Sequence, residues 1–498
     1  MRSQTRLITI TVVFVLIVLS FLHLKGTDIP DYLPQAAHDY FEPVRAGEKP
    51  DLSNESPGGE GKTNLEAILE DFVGRPLLSY DEAVELNSKT CPTAGVNFDA
   101  NAVNGNVEKW RDIPSSQISD WRHSIASYLR HKQEDEKLKL ESDPLESQKG
   151  KEVKSGRGIV MAAGDREAVV RARTNIRFLK SYNCTLPVEI FHFSTELSAP
   201  DKSLLEDLSQ LELSPESQAE QSGMKVTIRL VEGVEKGNGW KQFQIKGAAI
   251  QQSSFDEILY LDTDSYLLRN PDYIFQSKQW KETGLLLWPD YTKSHPTNPL
   301  WRLLGQKCRD EYEGESGQIF ISRTLHQDLL WLVEYFAVHH EEFYGFMGGD
   351  RDSFRAAALL LGKKWAGPGR LNAAAGIVMK DNPLSGGHTM LQADHEGKWT
   401  FVHANLIKHA KFPRPLWARI HRVAQDTFQA GTTYGDIASP NNKLGEGVKL
   451  HVSSTPRMIS TMSAFEGYDE GVVAVEDWDL YEELRGFEEK WFGFGGVH

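Results

Sequence analysis

Asp262 and Asp264 stand one residue apart at the end of Phe255-Asp-Glu-Ile-Leu-Tyr-Leu-Asp-Thr-Asp264, where the apolar run Ile258–Leu261 leaves off. Two carboxylates at that spacing can hold a divalent cation, and a cation there neutralises a diphosphate. Ser265 follows, so the chain can turn at the end of a strand and bring both acids to one ion. The triplet alone is a weak signal, because Asp350/Asp352 and Asp477/Asp479 repeat it. Only the first pair follows an apolar run of the kind that marks a strand buried on both faces. A solvated turn closing a strand is the plainer alternative. Ligands of open α/β sheets bind outside the carboxyl ends of the strands, where these acids sit.

The elements that would position them begin at Gly158. Strands are expected at Gly158–Ala163, Pro187–Phe193 and Lys225–Val231, with helices at Glu167–Tyr182, Leu204–Leu213 and Trp240–Gln252 between and after them. Such alternation implies a mainly parallel α/β sheet with flanking helices. Further strands are expected at Gly284–Asp290, Gly317–Ser322 and Trp399–His403, and helices at Leu325–His340 and Arg355–Leu361. Before this region, Asn64 to about His131 reads as helical, with Ile118, Trp121, Ile125 and Leu129 at helical spacing. Lys132–Ser155 reads as an exposed charged helix or loop, and the last sixty residues say little. No Gly-x-Gly-x-x-Gly loop follows the first strand, so a dehydrogenase-type dinucleotide site is unsupported.

The 498-residue chain carries a net charge of -15 and no Lys/Arg-rich block, which argues against a nucleic-acid partner. Leu7–Leu24 is long and apolar enough to span a thin bilayer, and Arg2 and Arg6 precede it. It predicts an uncleaved signal anchor that leaves residues 1–6 in the cytosol and the rest in the lumen. Residues 25–63 read as a stem, 64–157 as a helical and charged lead-in, 158–430 as the catalytic domain and 431–498 as an extension. Asn54-Glu-Ser56 and Asn183-Cys-Thr185 are glycosylation acceptors that suit a lumenal chain. The three cysteines, Cys91, Cys184 and Cys308, allow one disulfide at most and show no zinc spacing.

Taken together, Gly158–Ala163, Leu186–Ile190, Ser253–Asp264, Trp288-Pro-Asp290, Glu315–Gln318, Gly349–Phe354 and Phe401–Lys408 resemble, in order, the fungal Golgi α-mannosyltransferases of N-glycan outer chains. Thr263 and Arg351 stand where that family commonly carries Ala and Lys. The resemblance implies a GT-A-like nucleotide-sugar transferase fold, GDP-mannose as donor and a mannosylated glycoprotein glycan as acceptor. It also implies a Mn²⁺-type cation, retention of the α configuration, and a Golgi membrane location with a lumenal catalytic domain. It gives His403 as a third metal ligand beside Asp262 and Asp264. Lys246, Lys408, Gln318 and Asp262 are the candidate donor-binding residues, and Asp350, Asp290 and Glu315 the candidate catalytic ones. Each has a structural alternative: Lys246 and Lys408 as surface lysines, His403 as a core histidine, Asp350 as a helix cap. A glycogenin-like transferase with a uridine donor stays open, since two carboxylates do not report the base. A haloacid dehalogenase-type phosphatase is more distant, because Tyr266 replaces its expected Thr or Val.

Overall fold

The computed structural model describes residues 65–91, 93, 107–142, 156–194, 196–207, 224–237, 242–378, 387–409, 411–424, 426–427, 449–450, 465–466 and 473–497. The expected anchor, the stem and Asn54 lie outside the described residues. Among the described residues no helix is long and apolar enough to cross a membrane.

The first sheet holds β1 (Arg157–Ala162), β2 (Val188–His192), β3 (Val226–Leu230), β4 (Glu257–Leu261), β6 (Leu285–Lys293) and β7 (Tyr312–Ser322), in the order β3-β2-β1-β4-β7-β6. The first four are parallel, and β7 runs antiparallel to both β4 and β6. Side chains of β4 alternate between two cores: Ile258 and Tyr260 enter one, Leu259 and Leu261 the other. That alternation is the period of two that a strand imposes, and burial on both faces explains the unbroken apolar run.

A second sheet, wholly antiparallel, adds β5 (Ser265–Leu267), β8 (Ala373–Gly376), β9 (Thr389–Ala393), β10 (Trp399–His403), β11 (Arg419–Val423) and β14 (Val473–Asp477), in the order β14-β11-β8-β9-β10-β5. A short ribbon pairs β12 (Lys449–Leu450) with β13 (Phe465–Glu466). The expectation of one mainly parallel sheet therefore holds for the first half only. The later strands are short and separated by turns, and their pairing is between distant segments, which periodicity does not report.

Helices α1 (Leu65–Gly74), α2 (Tyr80–Asn87) and α3 (Ser115–Ser142) form the lead-in. Ile118, Trp121, Ile125 and Leu129 of α3 are all buried against the first sheet's core. Cys91 is disulfide-bonded to Cys308, and Cys184 is a buried thiol. Helix α4 (Arg166–Ser181) follows β1, with Asp165 accepting from the Ala168 amide as its cap. Helix α5 spans Ala199–Glu206, earlier than the expected Leu204 start, because Ser198 caps it and Pro200 sits in its first turn. Helix α6 (Ile245–Gln252) begins after a turn, so it is shorter than the sequence pattern implied. Helices α7 (Lys278–Thr283), α8 (Pro299–Leu304), α9 (Arg323–Val338), α10 (His340–Met347) and α11 (Ser353–Leu360) complete the layers, and α12 (Phe487–Gly493) ends the order. The little-informative tail thus supplies an edge strand, β14, and a helix. Phe487 stacks on Phe178 of α4 at 5.4 Å, and Trp491 meets Tyr266 of β5 edge-on at 6.1 Å.

Candidate active site

The two aspartates form the hinge between the sheets. After Leu261 ends β4, the Asp262 amide donates to Gly317 O (2.8 Å) and the Ser265 amide to Asp262 O (3.0 Å). The chain turns there and enters β5 at Ser265, so the first sheet delivers the acids and the second receives them. Ser265 pairs with His403 of β10, and the Ala404 amide donates to Asp264 O at 2.9 Å. One ligand atom from each of Asp262, Asp264 and His403 lies within 4.8 Å of the others.

Four acids and three cations share this space. Lys246 of α6 is buried and donates to Asp262 Oδ2 (3.1 Å), Ser316 O (2.7 Å) and Ser316 Oγ (2.8 Å), with Asp350 Oδ2 at 2.8 Å. It is no snorkelling surface lysine. Lys408 ion-pairs with Asp264 Oδ2. The His403 ring bridges two carboxylates, with Nε2 3.5 Å from Asp264 Oδ1 and Nδ1 3.4 Å from Glu315 Oε2. Burial works against its charge, yet Glu315 and Asp264 outweigh that and raise the imidazole to about 10. Burial likewise opposes ionisation of Glu315, but the charge on His403 holds it down at about 2. Asp264 stays well below the usual carboxylate range because Lys408 and His403 overcome its burial. Asp262 is pushed upward by burial, with Asp264 and Asp350 adding to the rise and Lys246 opposing it.

The Asp350 carboxylate faces this cluster, accepting from Ser316 Oγ at 3.1 Å as well as pairing with Lys246. It does not cap α11: Asp352 holds that position, without a side-chain cap bond, and instead binds Arg355 and the Gly314 amide. Gln318 is buried opposite Leu261 and accepts from Ser265 Oγ at 3.2 Å. Asp290 stands in a neighbouring cluster, ion-paired with Arg351, which also pairs with Glu313. The expected residues thus converge, with Asp290 one layer away. Asn183 is exposed just after α4, in left-handed backbone.

Sequence reasoning passed over several contributors. Tyr260 donates its hydroxyl to Asp262 Oδ1 at 2.9 Å. Ser316, inside the Glu315–Gln318 stretch, joins Lys246 to Asp350. Arg171 Nε contacts Thr263 Oγ1 at 3.4 Å, and Asn175 Nδ2 donates to Thr263 O at 2.8 Å. Their i, i+4 spacing on α4 puts both on one helix face, which was a readable signal.

Two carboxylates and an imidazole suit a hard or borderline divalent cation such as Mn²⁺. The surroundings fit as well. A Cβ on Gly317 would sit 2.5 Å from His403 Cε1 and 2.9 Å from Glu315 Oε2, so the missing side chain is what admits the ring and the acid that orients it.

Residues 156–301 and 306–396 match a family model described as "Mannosyltransferase putative". The α-1,2-mannosyltransferase MNN22 of Candida albicans is 27% identical over 172 residues, covering 25% of this chain and 29% of that protein. MNN21, an α-1,2-mannosyltransferase of the same organism, is 27% identical over 241 residues, covering 38% and 36%. The chain therefore spans well under half the length of these relatives. Among solved structures, mouse xyloside xylosyltransferase 1 is similar at 12% identity and TM-score 0.28, covering 41% of this chain and 82% of that one. Galactosyltransferase LgtC is similar at 13% identity and TM-score 0.27, covering 40% and 69%. The family match covers Asp262 and Asp264 of the acidic hinge, and over residues 156–301 and 306–396 this chain is similar to mannosyltransferases.

Proposed function

We propose that the chain transfers mannose from GDP-mannose to a mannosylated glycan on a glycoprotein, forming an α-1,2 linkage with retention, with the help of a divalent cation of the Mn²⁺ type. The observation that carries this reading is the meeting of Asp262, Asp264 and His403 within 4.8 Å, with both aspartates inside the region matched by the mannosyltransferase model and His403 seven residues past its end. Asp262, Asp264 and His403 would hold the cation, which when bound supplies charge stabilisation to a departing nucleoside diphosphate. Lys246 and Lys408 bring two further positive charges to the place where the phosphates would lie. Glu315 orients His403, and Asp350, buried beside Lys246 and Ser316, is the carboxylate we assign to the acceptor hydroxyl. In the same reading the protein is a single-pass type II protein of the Golgi membrane, anchored by residues 7–24, with its catalytic domain in the lumen. The apolar run Leu7–Leu24 and the Cys91–Cys308 disulfide, a bond typical of oxidising compartments, support that placement.

The test is transfer by the purified full-length chain from GDP-mannose, UDP-glucose and UDP-galactose to mannosylated acceptors, with Mn²⁺ or with chelator. Mannosyl transfer from GDP-mannose alone is expected, lost in chelator and restored by Mn²⁺, with an α product by proton NMR. Asp264→Asn should bind Mn²⁺ weakly and lose nearly all transfer while keeping its fold, since it alters a turn and no core volume. Preference for a uridine donor would move the assignment to a glycogenin-like enzyme. Full activity in chelator would overturn the role given to the three donors.

A further inference from the structure

The loop that carries Asp350 is held to β7 residue by residue. Gly348 and Gly349 lie in left-handed backbone, at φ +63° and +79°, which glycine adopts freely and other residues resist. Two such glycines set no course of their own, so the path of the next residues depends on outside contacts. Asp350 accepts from Ser316 Oγ at 3.1 Å. Arg351 pairs with Glu313 and, on the neighbouring strand β6, with Asp290. Asp352 accepts from the Gly314 amide at 2.6 Å. The same strand carries Glu315, which orients His403, and Gly317, whose carbonyl receives the Asp262 amide. Strand β7 is thus a common ruler for the cation donors and for Asp350.

The seat of Arg351 is itself fixed. Asp290 and Glu313 are buried, and Thr292 Oγ1 reaches both, 3.4 Å from Asp290 Oδ2 and 3.2 Å from Glu313 Oε2. Ser294 Oγ donates to Glu313 at 3.1 Å and the Tyr291 amide to Asp290 at 2.6 Å. A Cβ on Gly348 would come 2.6 Å from Arg351 Nη2, so that glycine also clears room for the guanidinium. Two buried carboxylates side by side repel, and a planar guanidinium can meet both at once where an ammonium is a point charge. Such a buried trio is a poor source of stability, because desolvation offsets most of its attraction. Its better use is to fix a geometry. We propose that Arg351 is a positioning residue for transfer: seated between Asp290 and Glu313, it holds the adjacent Asp350 against Ser316 and Lys246. Asp290 is then an anchor of this loop and not a group that meets substrate. This inference rests on the assignment of Asp350 to the acceptor hydroxyl.

The test measures transfer from GDP-mannose to a mannosylated acceptor, with Mn²⁺, by the full-length parent chain, Arg351→Gln, Arg351→Lys and Asp350→Asn. Arg351→Gln should lower kcat about a hundredfold, the scale of a misplacement of about 1 Å, while GDP affinity with Mn²⁺ stays within about twofold by calorimetry. Arg351→Lys keeps the charge without the fork and should recover about tenfold of that loss. A merely structural arginine predicts that only thermal stability falls, with kcat per folded molecule left parental, which would overturn the proposal. The decisive arm is Asp350→Asn/Arg351→Lys. If Arg351 acts through Asp350, residual transfer in this double variant should equal that of Asp350→Asn alone. Losses that multiply would mean that Arg351 meets the substrate itself, and would sink the positioning role. Should Arg351→Gln not fold, Asp290→Asn carries the same comparison: kcat about tenfold lower beside Asp350 and no further loss beside Asp350→Asn. A parent that transfers nothing from GDP-mannose is a separate outcome, and it removes the functional reading together with this inference.

Discussion

At the residue scale, the site is governed by how a few charges share one small volume. The sequence made most of them visible, because an apolar strand that ends in acids has few other uses for its end. Asp262, Asp264, His403, Lys246 and Lys408 were legible on those grounds or by resemblance. Their pairing was not: which lysine meets which aspartate depends on how Lys246 on α6 and Lys408 after β10 reach the same hinge. Gly317 is the least conspicuous member. Its lack of a side chain lets His403 and Glu315 approach, so the Cβ of Gly317→Ala should press on the His403 ring and displace both. We expect Mn²⁺ affinity to fall about ten- to hundredfold, the scale seen when groups that orient ligands are disturbed. Calorimetric titration of the folded variant checks this, and parent-like affinity would contradict the account.

At the element scale, the first sheet was readable and the second was not. Strands β1 to β4 alternate with helices, and β1, β2 and β4 are buried on both faces while β3 is a half-buried edge, so composition and spacing agree. Strands β8 to β11 and β14 pair across segments far apart in sequence, and no local pattern reports such partners. Next to the edge of that sheet, His421 of β11 is buried and aligned with Ala374 of β8 and Val475 of β14. Burial, aided by Arg419, depresses its imidazole to about 4. Above about pH 6.5 neither the folded nor the unfolded chain protonates it, and it costs nothing. As pH falls the unfolded chain takes up the proton first, so stability drops between about pH 6.5 and about 4 and then levels off. The full difference is on the order of 3 kcal/mol. Thermal denaturation should show a steeper loss from pH 7 to pH 5 for the parent than for His421→Asn. Parallel profiles would show that His421 does not govern this window.

At the scale of the whole molecule, the lead-in is bound to the catalytic region by contacts that span the chain. Arg122 of α3 is fully buried and donates to Leu303 O at 2.9 Å and Arg302 O at 2.6 Å. The Cys91–Cys308 disulfide closes a separation of 217 residues. Three cysteines in the sequence announced that one such bond was possible, but only the fold chooses the pair. Cys91→Ser/Cys308→Ser should lower stability by about 2–5 kcal/mol, measured by chemical denaturation under oxidising conditions. A loss of similar size in the parent on adding reductant is expected, and an unchanged denaturation midpoint in both experiments would argue that the bond stabilises nothing.

The packing of α12 onto Tyr266 and Phe178 has a consequence for the order of events during synthesis. A ribosome releases Asp262 and Asp264 more than two hundred residues before Trp491, yet the strand that carries Ser265 past them is covered by that last helix. His403 comes from the same late-assembled sheet. While the chain is being made, the acids are present without the imidazole and without the cover that sets their angle. On the proposed function, the nascent chain has a complete site only after β10 and α12 have been made and have packed onto β5.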